Sequence, residues 1–298
     1  MSYMSANLYY AATYRRSPLL LRTTDTPVGR LAVCLRFRDE ALFLKEWLDY
    51  HIAAGVDHFF LYNNYSEDDY LSVLHPYLDR NVVTLIDWPH VPASPTAEED
   101  CLARTRGNFQ WVGFIDADEF AVVRDGRSLP EFLDEFSDAP AVALHWYYYG
   151  SSGHESRPRD WVIRAYRHRD RLPNNHFKVF VQPGYAIKCR NSHNFYYKHG
   201  RCARREDGRR VFGSLASPGT AERAWINHYY CKSLQDYTEK ATRRSTLDRS
   251  GMREPSRQLL NARLALLASN DIEDPSAIVY FEARTRAAYP LVMPDSSA

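Results

Sequence analysis

Cysteine is sparse in this 298-residue chain: Cys34, Cys101, Cys189, Cys202 and Cys231 are scattered, odd in number and without a C-x-x-C pair. That argues against a disulfide framework or a zinc site and favours a reducing compartment. Long apolar runs are also missing; none approaches the roughly 18 residues of a membrane span. No secretory leader is expected, because Leu8 to Thr13 is short and polar and Arg15-Arg16 follow it. Charge of one sign is lacking too. The formal net charge of +1 supplies no electrostatic reason to expect nucleic acid as a partner. No G-x-G-x-x-G follows the first expected strand and no G-x-x-x-x-G-K-[ST] occurs, which disfavours dinucleotide and P-loop chemistry. A cytoplasmic protein is the expectation. Leu19-Leu20-Leu21 beside the arginine pair is the one segment suited to peripheral contact with the inner face of a membrane, a packed arm being the alternative.

What is present is an ordinary apolar content of 45% and an aromatic content of 14%, with 21 tyrosines. Tyrosine and tryptophan join an apolar face to a polar tip, which suits sugars but also fills cores. Residues 31–37 read as a buried strand. Arg38-Asp39-Glu40 opens a helix over 41–54, with Leu44, Trp47, Leu48 and His51 at helical spacing, and Gly55 closes it. A strand at 58–62 ends in Asn63-Asn64-Tyr65-Ser66, and a helix at 70–77, a strand at 82–86 and a helix within 96–108 follow. The apolar run Trp111 to Ile115 is the fourth strand. This alternation predicts an α/β fold, a mostly parallel central sheet flanked by helices, with strand ends on one rim. In the second half, strands are expected at 142–149, 178–181 and 186–188, an exposed turn at 203–210, and helices at 234–248, 256–268 and about 275–286.

The fourth strand runs into Asp116-Ala117-Asp118-Glu119-Phe120. Carboxylates two apart on a strand point the same way, and hard cations such as Mg²⁺ or Mn²⁺ take such oxygens and share them with phosphate. With 22 aspartates in the chain, an Asp-x-Asp triplet arises readily by chance, and acids after a strand are ordinary turn chemistry. Position is what lifts this triplet, since open α/β sheets bind ligands at the carboxyl ends of their strands.

The ordered series Arg38-Asp39-Glu40, Glu46-Trp47-Leu48-x-x-His51, Tyr62-Asn63-Asn64-x-Ser66 and Asp116-Ala117-Asp118-Glu119-Phe120 resembles glycosyltransferase family 92 and its bacterial family 2-like relatives. It continues through Gly150-Ser151-Ser152-Gly153-His154, Lys178-x-Phe180-x-x-Pro183, His193-Asn194-Phe195 and Asn227-His228-Tyr229-x-x-Lys232-Ser233, spanning roughly residues 31–245. The resemblance implies a GT-A (nucleotide-diphospho-sugar transferase) domain over 31–250, between an N-terminal extension (1–30) and a helical C-terminal appendage (251–298). It implies transfer of a sugar, with inversion, from a nucleotide-sugar donor, UDP being the usual nucleotide, to a glycan or lipid-linked hydroxyl. Asp118, less directly Asp116, and His228 would hold Mn²⁺ or Mg²⁺ against the donor diphosphate. Lys178 and Lys232 would contact phosphate, and Arg38, Glu40, Asn63, Asn64 and Ser66 would bind base and ribose. The family often has Asn and Asp where this chain has Asp39 and Asn63, which leaves the nucleotide preference open.

An inverting transfer needs a base for the acceptor hydroxyl. Glu155 ranks ahead of Asp160, both lying after the glycine-bracketed loop, where Trp146 to Tyr149 offer a stacking platform. Glu119, pointing away if the strand continues, is expected to be structural. Two rival readings are a catalytically inactive nucleotide-sugar or glycan-binding relative and a metal-dependent phosphoesterase.

Overall fold

The computed structural model describes residues 28–91, 93–242, 268 and 271–288. Its first half alternates β1 (Gly29–Phe37), α1 (Ala41–Ala53), β2 (His58–Asn63), α2 (Tyr70–Asp79), β3 (Val83–Asp87), α3 (Thr96–Thr105) and β4 (Phe109–Phe114). The four strands are parallel in the order β3-β2-β1-β4. Both faces are covered, because alternate residues of β1 serve different cores. Leu31, Val33 and Leu35 pack with Trp47 and Phe59, while Ala32 and Cys34 pack with Tyr62, Cys101 and Phe114.

The second half extends the sheet with mixed polarity. It contributes β5 (Glu119–Val123), α4 (Leu129–Leu133), β6 (Ala141–Tyr148), α5 (Val162–Ala165), β7 (His168–Arg169), β8 (Phe177–Val181), β9 (Ala186–Asn191) and β10 (Asn194–Tyr197). After these come β11 (Ala203–Arg205), β12 (Arg210–Val211), β13 (Ala224–His228), α6 (Leu234–Thr242), β14 (Ile272–Glu273) and α7 (Ser276–Ala288). β8 runs antiparallel between β4 and β6. Gly113 of β4 lies opposite Phe180, and a Cβ there would stand 2.6 Å from the Phe180 ring, so the crossing tolerates only a hydrogen. β13 pairs parallel with the end of β6 and antiparallel with β5, which sets His228 beside both Tyr148 and Glu119.

The α/β expectation is borne out, and helix α1 follows its predicted face, with Leu44, Trp47, Leu48 and His51 buried. Its first N–H groups are served from a distance: Asp68 Oδ2 accepts from Ala41 N at 2.7 Å, whereas Glu40 makes no side-chain cap bond. Trp47 Nε1 donates to Glu119 O and Tyr50 Oη to Ala121 O, fastening α1 to β5. α7 rests on the same body, with Phe281 stacked on Tyr50 and Arg284 Nε donating to Ala53 O.

Two local expectations change. β4 ends at Phe114 and β5 begins at Glu119, so a turn and not a strand carries Asp116 and Asp118. Residues 203–210 form a hairpin of β11 and β12, with Arg205 and Glu206 buried, and not an exposed turn. All but residue 268 of the helix expected at 256–268, and the end of the one at 234–248, lie outside the described residues. Among the described residues no helix is long and apolar enough to cross a membrane.

Candidate active site

The turn between β4 and β5 is closed by its own residues. Glu119 N donates to Asp116 O at 3.1 Å, and Asp116 N donates back to Glu119 Oε2 at 2.9 Å. The two aspartates then face different cations. Lys178, on β8 and fully buried, lies 2.7 Å from Asp116 Oδ2 and 3.4 Å from Glu119 Oε2. Lys240, on α6, donates to Asp118 Oδ2, while His228 Nε2 lies 3.5 Å from Asp118 Oδ1. Tyr229 N donates to Asp118 O at 2.8 Å, tying the end of β13 to the turn.

The charge balance follows from burial set against these neighbours. Burial works against the Asp118 carboxylate, yet Lys240 and then His228 outweigh it and hold its pKa well below the usual range. Asp116 is likewise lowered by Lys178 and Arg36 despite burial. Glu119, with no solvent exposure, is pushed up to about 8 by burial, against the pull of Lys178. Burial lowers the pKa of His228 against the attraction of Asp118, a shift toward the neutral imidazole that can ligate metals. Lys232 is the odd member: 4% exposed, with backbone φ of 54°, it sits 4.0 Å over the Phe43 ring and forms no ion pair among the described residues. Burial depresses its pKa, only partly offset by Asp118 and Glu40.

A divalent cation can be tested against these donors. Among the described residues no three His, Cys, Asp or Glu side chains gather as a complete metal site. Two donors do converge, Asp118 Oδ1 and His228 Nε2, close enough for one cation with bonds of about 2.1 Å. Two protein ligands suit Mg²⁺ or Mn²⁺, which take the rest of their shell from water and substrate phosphate. Beside them, His228 Nδ1 and Glu119 Oε1 are buried without hydrogen-bond partners among the described residues, 3.9 Å apart. The donor set fits the group.

The other expected residues divide. Arg38 lies 5.5 Å from the Tyr65 ring, and Glu40 stands at the entry to α1. Asn63 and Asn64 close the loop after β2: Asn63 Nδ2 donates to Asp87 Oδ1 and Tyr70 Oη, its Oδ1 accepts from Ser66 N, and Asn64 Nδ2 donates to Trp88 O and His90 O. Ser66 Oγ accepts from Asp39 N, joining the loops after β1 and β2. Asn64 Oδ1 and Asp68 Oδ1 are both buried and have no hydrogen-bond partner among the described residues. Glu155 and Asp160 are both exposed; Glu155 O accepts from Gln235 N, and Asp160 Oδ1 from Trp161 N.

Sequence reasoning missed Lys240, a lysine with no motif of its own, and underrated Glu119, whose role depends on the chain turning after Asp118. It offered Trp146 to Tyr149 as a stacking platform but did not place them in the aromatic wall around His228, where Trp146 stands at 4.5 Å, Tyr148 at 5.2 Å and Tyr230 at 5.6 Å between ring centres. His176 stacks on Trp146 at 5.3 Å and 13°.

An acid-bearing turn at the carboxyl rim of the α/β sheet thus brings Asp118, His228 and the buried lysines Lys178 and Lys232 into one region. The glycosyltransferase family 92 profile matches residues 30–206, and the chain belongs to that family. A family 92 protein of Ricinus communis is 31% identical over 226 residues, 72% of this chain and 38% of the relative. One of Oryza sativa subsp. japonica is 34% identical over 159 residues, covering 51% and 27%. The chain thus spans well under half the length of the curated relatives it matches. Among solved structures, a mannosyltransferase of Pyrobaculum calidifontis in complex with GDP-Man and Mn²⁺ aligns over 98% of this chain and 85% of its own, at 17% identity and a TM-score of 0.40. S. aureus TarS 1–349 aligns over 88% and 72%, at 10% identity and a TM-score of 0.39.

Proposed function

We propose that this chain is a metal-dependent glycosyltransferase that moves a sugar, with inversion, from a UDP-sugar to a hydroxyl of a glycan or lipid-linked acceptor. The observation that carries the reading is the convergence of Asp118 Oδ1 and His228 Nε2 at 3.5 Å beside Lys232, a buried cation without an ion-pair partner among the described residues. Family membership supports the same reading.

Asp118 and His228, with Asp116 behind them, would hold Mn²⁺ or Mg²⁺, which when bound supplies a Lewis acid against the charge growing on the departing diphosphate. Lys232 offers a desolvated point charge to phosphate oxygens, and Lys178 fixes Asp116 while neutralising the acids below it. Arg38, Glu40, Asn63, Asn64 and Ser66 line the loops proposed for base and ribose. The acceptor enters along Trp146 and Tyr148, on the side of the loop carrying Glu155 and Asp160. The working site is proposed to act in the cytoplasm, on an acceptor presented from or near the membrane.

The test is release of nucleotide from a panel of UDP- and GDP-sugars with Mn²⁺, with and without EDTA. Metal-dependent release from one donor, abolished in Asp118→Ala, is the expected result. Saturable nucleotide binding without turnover would instead indicate an inactive binding relative, and phosphate release from unrelated esters a phosphoesterase.

A further inference from the structure

Asp170 directly follows β7, and its backbone is pinned on both sides. Its N–H donates to Tyr148 O at 2.9 Å, and Arg169 Nη1 donates to its carbonyl at 2.7 Å. Arg169 is itself fixed, paired with Asp274 and lying 3.6 Å over the Tyr147 ring. The preceding residues are clamped as well: Ser152 Oγ accepts from Arg167 N and His168 N, and β7 pairs with β14. Only the carboxylate of Asp170 is left over. It is half-buried, and it takes no hydrogen bond or ion pair among the described residues.

Most acids around this cleft are already engaged. Asp116 and Asp118 hold lysines, Glu119 lies beneath the turn, Glu46 caps α5, and Asp236 binds Arg157 and Ser233. Asp170 borders the aromatic wall: its backbone partner Tyr148 has its ring 5.2 Å from that of His228, and His228 faces Asp118. The charges of Glu119, Tyr230, Asp118 and Asp170 all bear on the Tyr148 hydroxyl, which burial and these neighbours together hold above its ordinary pKa. A carboxylate whose backbone is rigid and whose oxygens are uncommitted is pre-organised for a substrate group.

We propose that Asp170 is the catalytic base of the transfer, accepting the proton of the acceptor hydroxyl at the Tyr148 side of the cleft. The assignment rests on the transferase reading above. The acceptor oxygen forms its bond to the anomeric carbon as its proton passes to the Asp170 carboxylate. The bond from that carbon to the diphosphate oxygen breaks, and its electron pair leaves with the nucleotide.

The test uses the full chain with Mn²⁺ and the nucleotide-sugar panel, water serving as acceptor, and measures nucleotide release together with UDP affinity by calorimetry. Asp170→Asn, which keeps shape and removes the basic charge, is expected to slow release by about 10²- to 10⁴-fold while UDP affinity stays within about twofold of wild type. Release by Asp170→Asn within about threefold of wild type overturns the assignment. So does a matching loss of UDP affinity, which would give Asp170 a donor-binding or structural part, and so does a result in which Glu155→Gln or Asp160→Asn takes the loss while Asp170→Asn does not. If the wild-type chain releases nucleotide from no donor, the transferase reading itself falls and takes this assignment with it.

Discussion

The ammonium of Lys240 donates to Oδ2 of the Asp118 carboxylate whose Oδ1 faces His228, so a lysine already shares the carboxylate that a divalent cation would use. Lys240 is further held by Tyr230, through its carbonyl at 3.3 Å and its ring at 4.0 Å. Mn²⁺ bound at Asp118 and His228 would therefore compete with this ammonium for the charge of one carboxylate. Lys240→Gln, which keeps a polar side chain of similar length, is expected to tighten Mn²⁺ binding in the absence of nucleotide by about tenfold, or ~1.4 kcal/mol. Calorimetric or electron paramagnetic titration of Mn²⁺ measures this, and unchanged affinity would separate Lys240 from the metal position.

Lys178 has a different part, since no solvent reaches it and it bridges two acids of the turn. Removing one partner of a fully buried ion pair costs about 3–5 kcal/mol. Here the cost should be lower, because the Asp116 side chain is 44% exposed and Glu119, already raised to about 8, can keep a proton. Lys178→Met is expected to destabilise the fold by about 2 kcal/mol in urea unfolding. Lys178→Arg should recover little of this, since the pocket under Trp146 was shaped around an ammonium at 5.9 Å from that ring.

The legible parts of this protein were those fixed by local periodicity or by short-range order. The β1-to-β4 alternation, the buried face of α1 and the placement of Asp116 and Asp118 at a strand end all follow from spacing along the chain. What depended on where the chain turns was not legible. Glu119 was expected to be structural and to point away from the aspartates if the strand continued; the turn after Phe114 instead brings it beneath them. Lys240 lies 122 positions from Asp118 with no motif around it, and Asp170 is distinguished only by what its neighbours leave unpaired. The pairing of β13 with both β5 and β6 brings His228 to the site, a relation across the sheet that no window of sequence contains.

Glu46 carries a pH dependence that can be signed. Both its oxygens cap α5, Oε2 accepting from Val162 N at 2.7 Å and Oε1 from Ile163 N at 3.0 Å, yet the side chain is only 7% exposed. Burial outweighs those two bonds and the attraction of Lys232, and raises the group to about 7 from the ordinary 4.5. The folded state therefore binds the proton more tightly than the unfolded chain does. Its contribution is fully present below the unfolded pKa, declines as pH rises from about 4.5 to about 7, and is flat above that, a span worth about 3 kcal/mol. Glu46→Gln removes the titrating group, so its stability relative to wild type should improve by about that amount between pH 4.5 and pH 7.5. Denaturant unfolding of both proteins across this interval measures the change. A difference that stays constant with pH would mean that Glu46 is ionised throughout, with its two backbone hydrogen bonds outweighing burial.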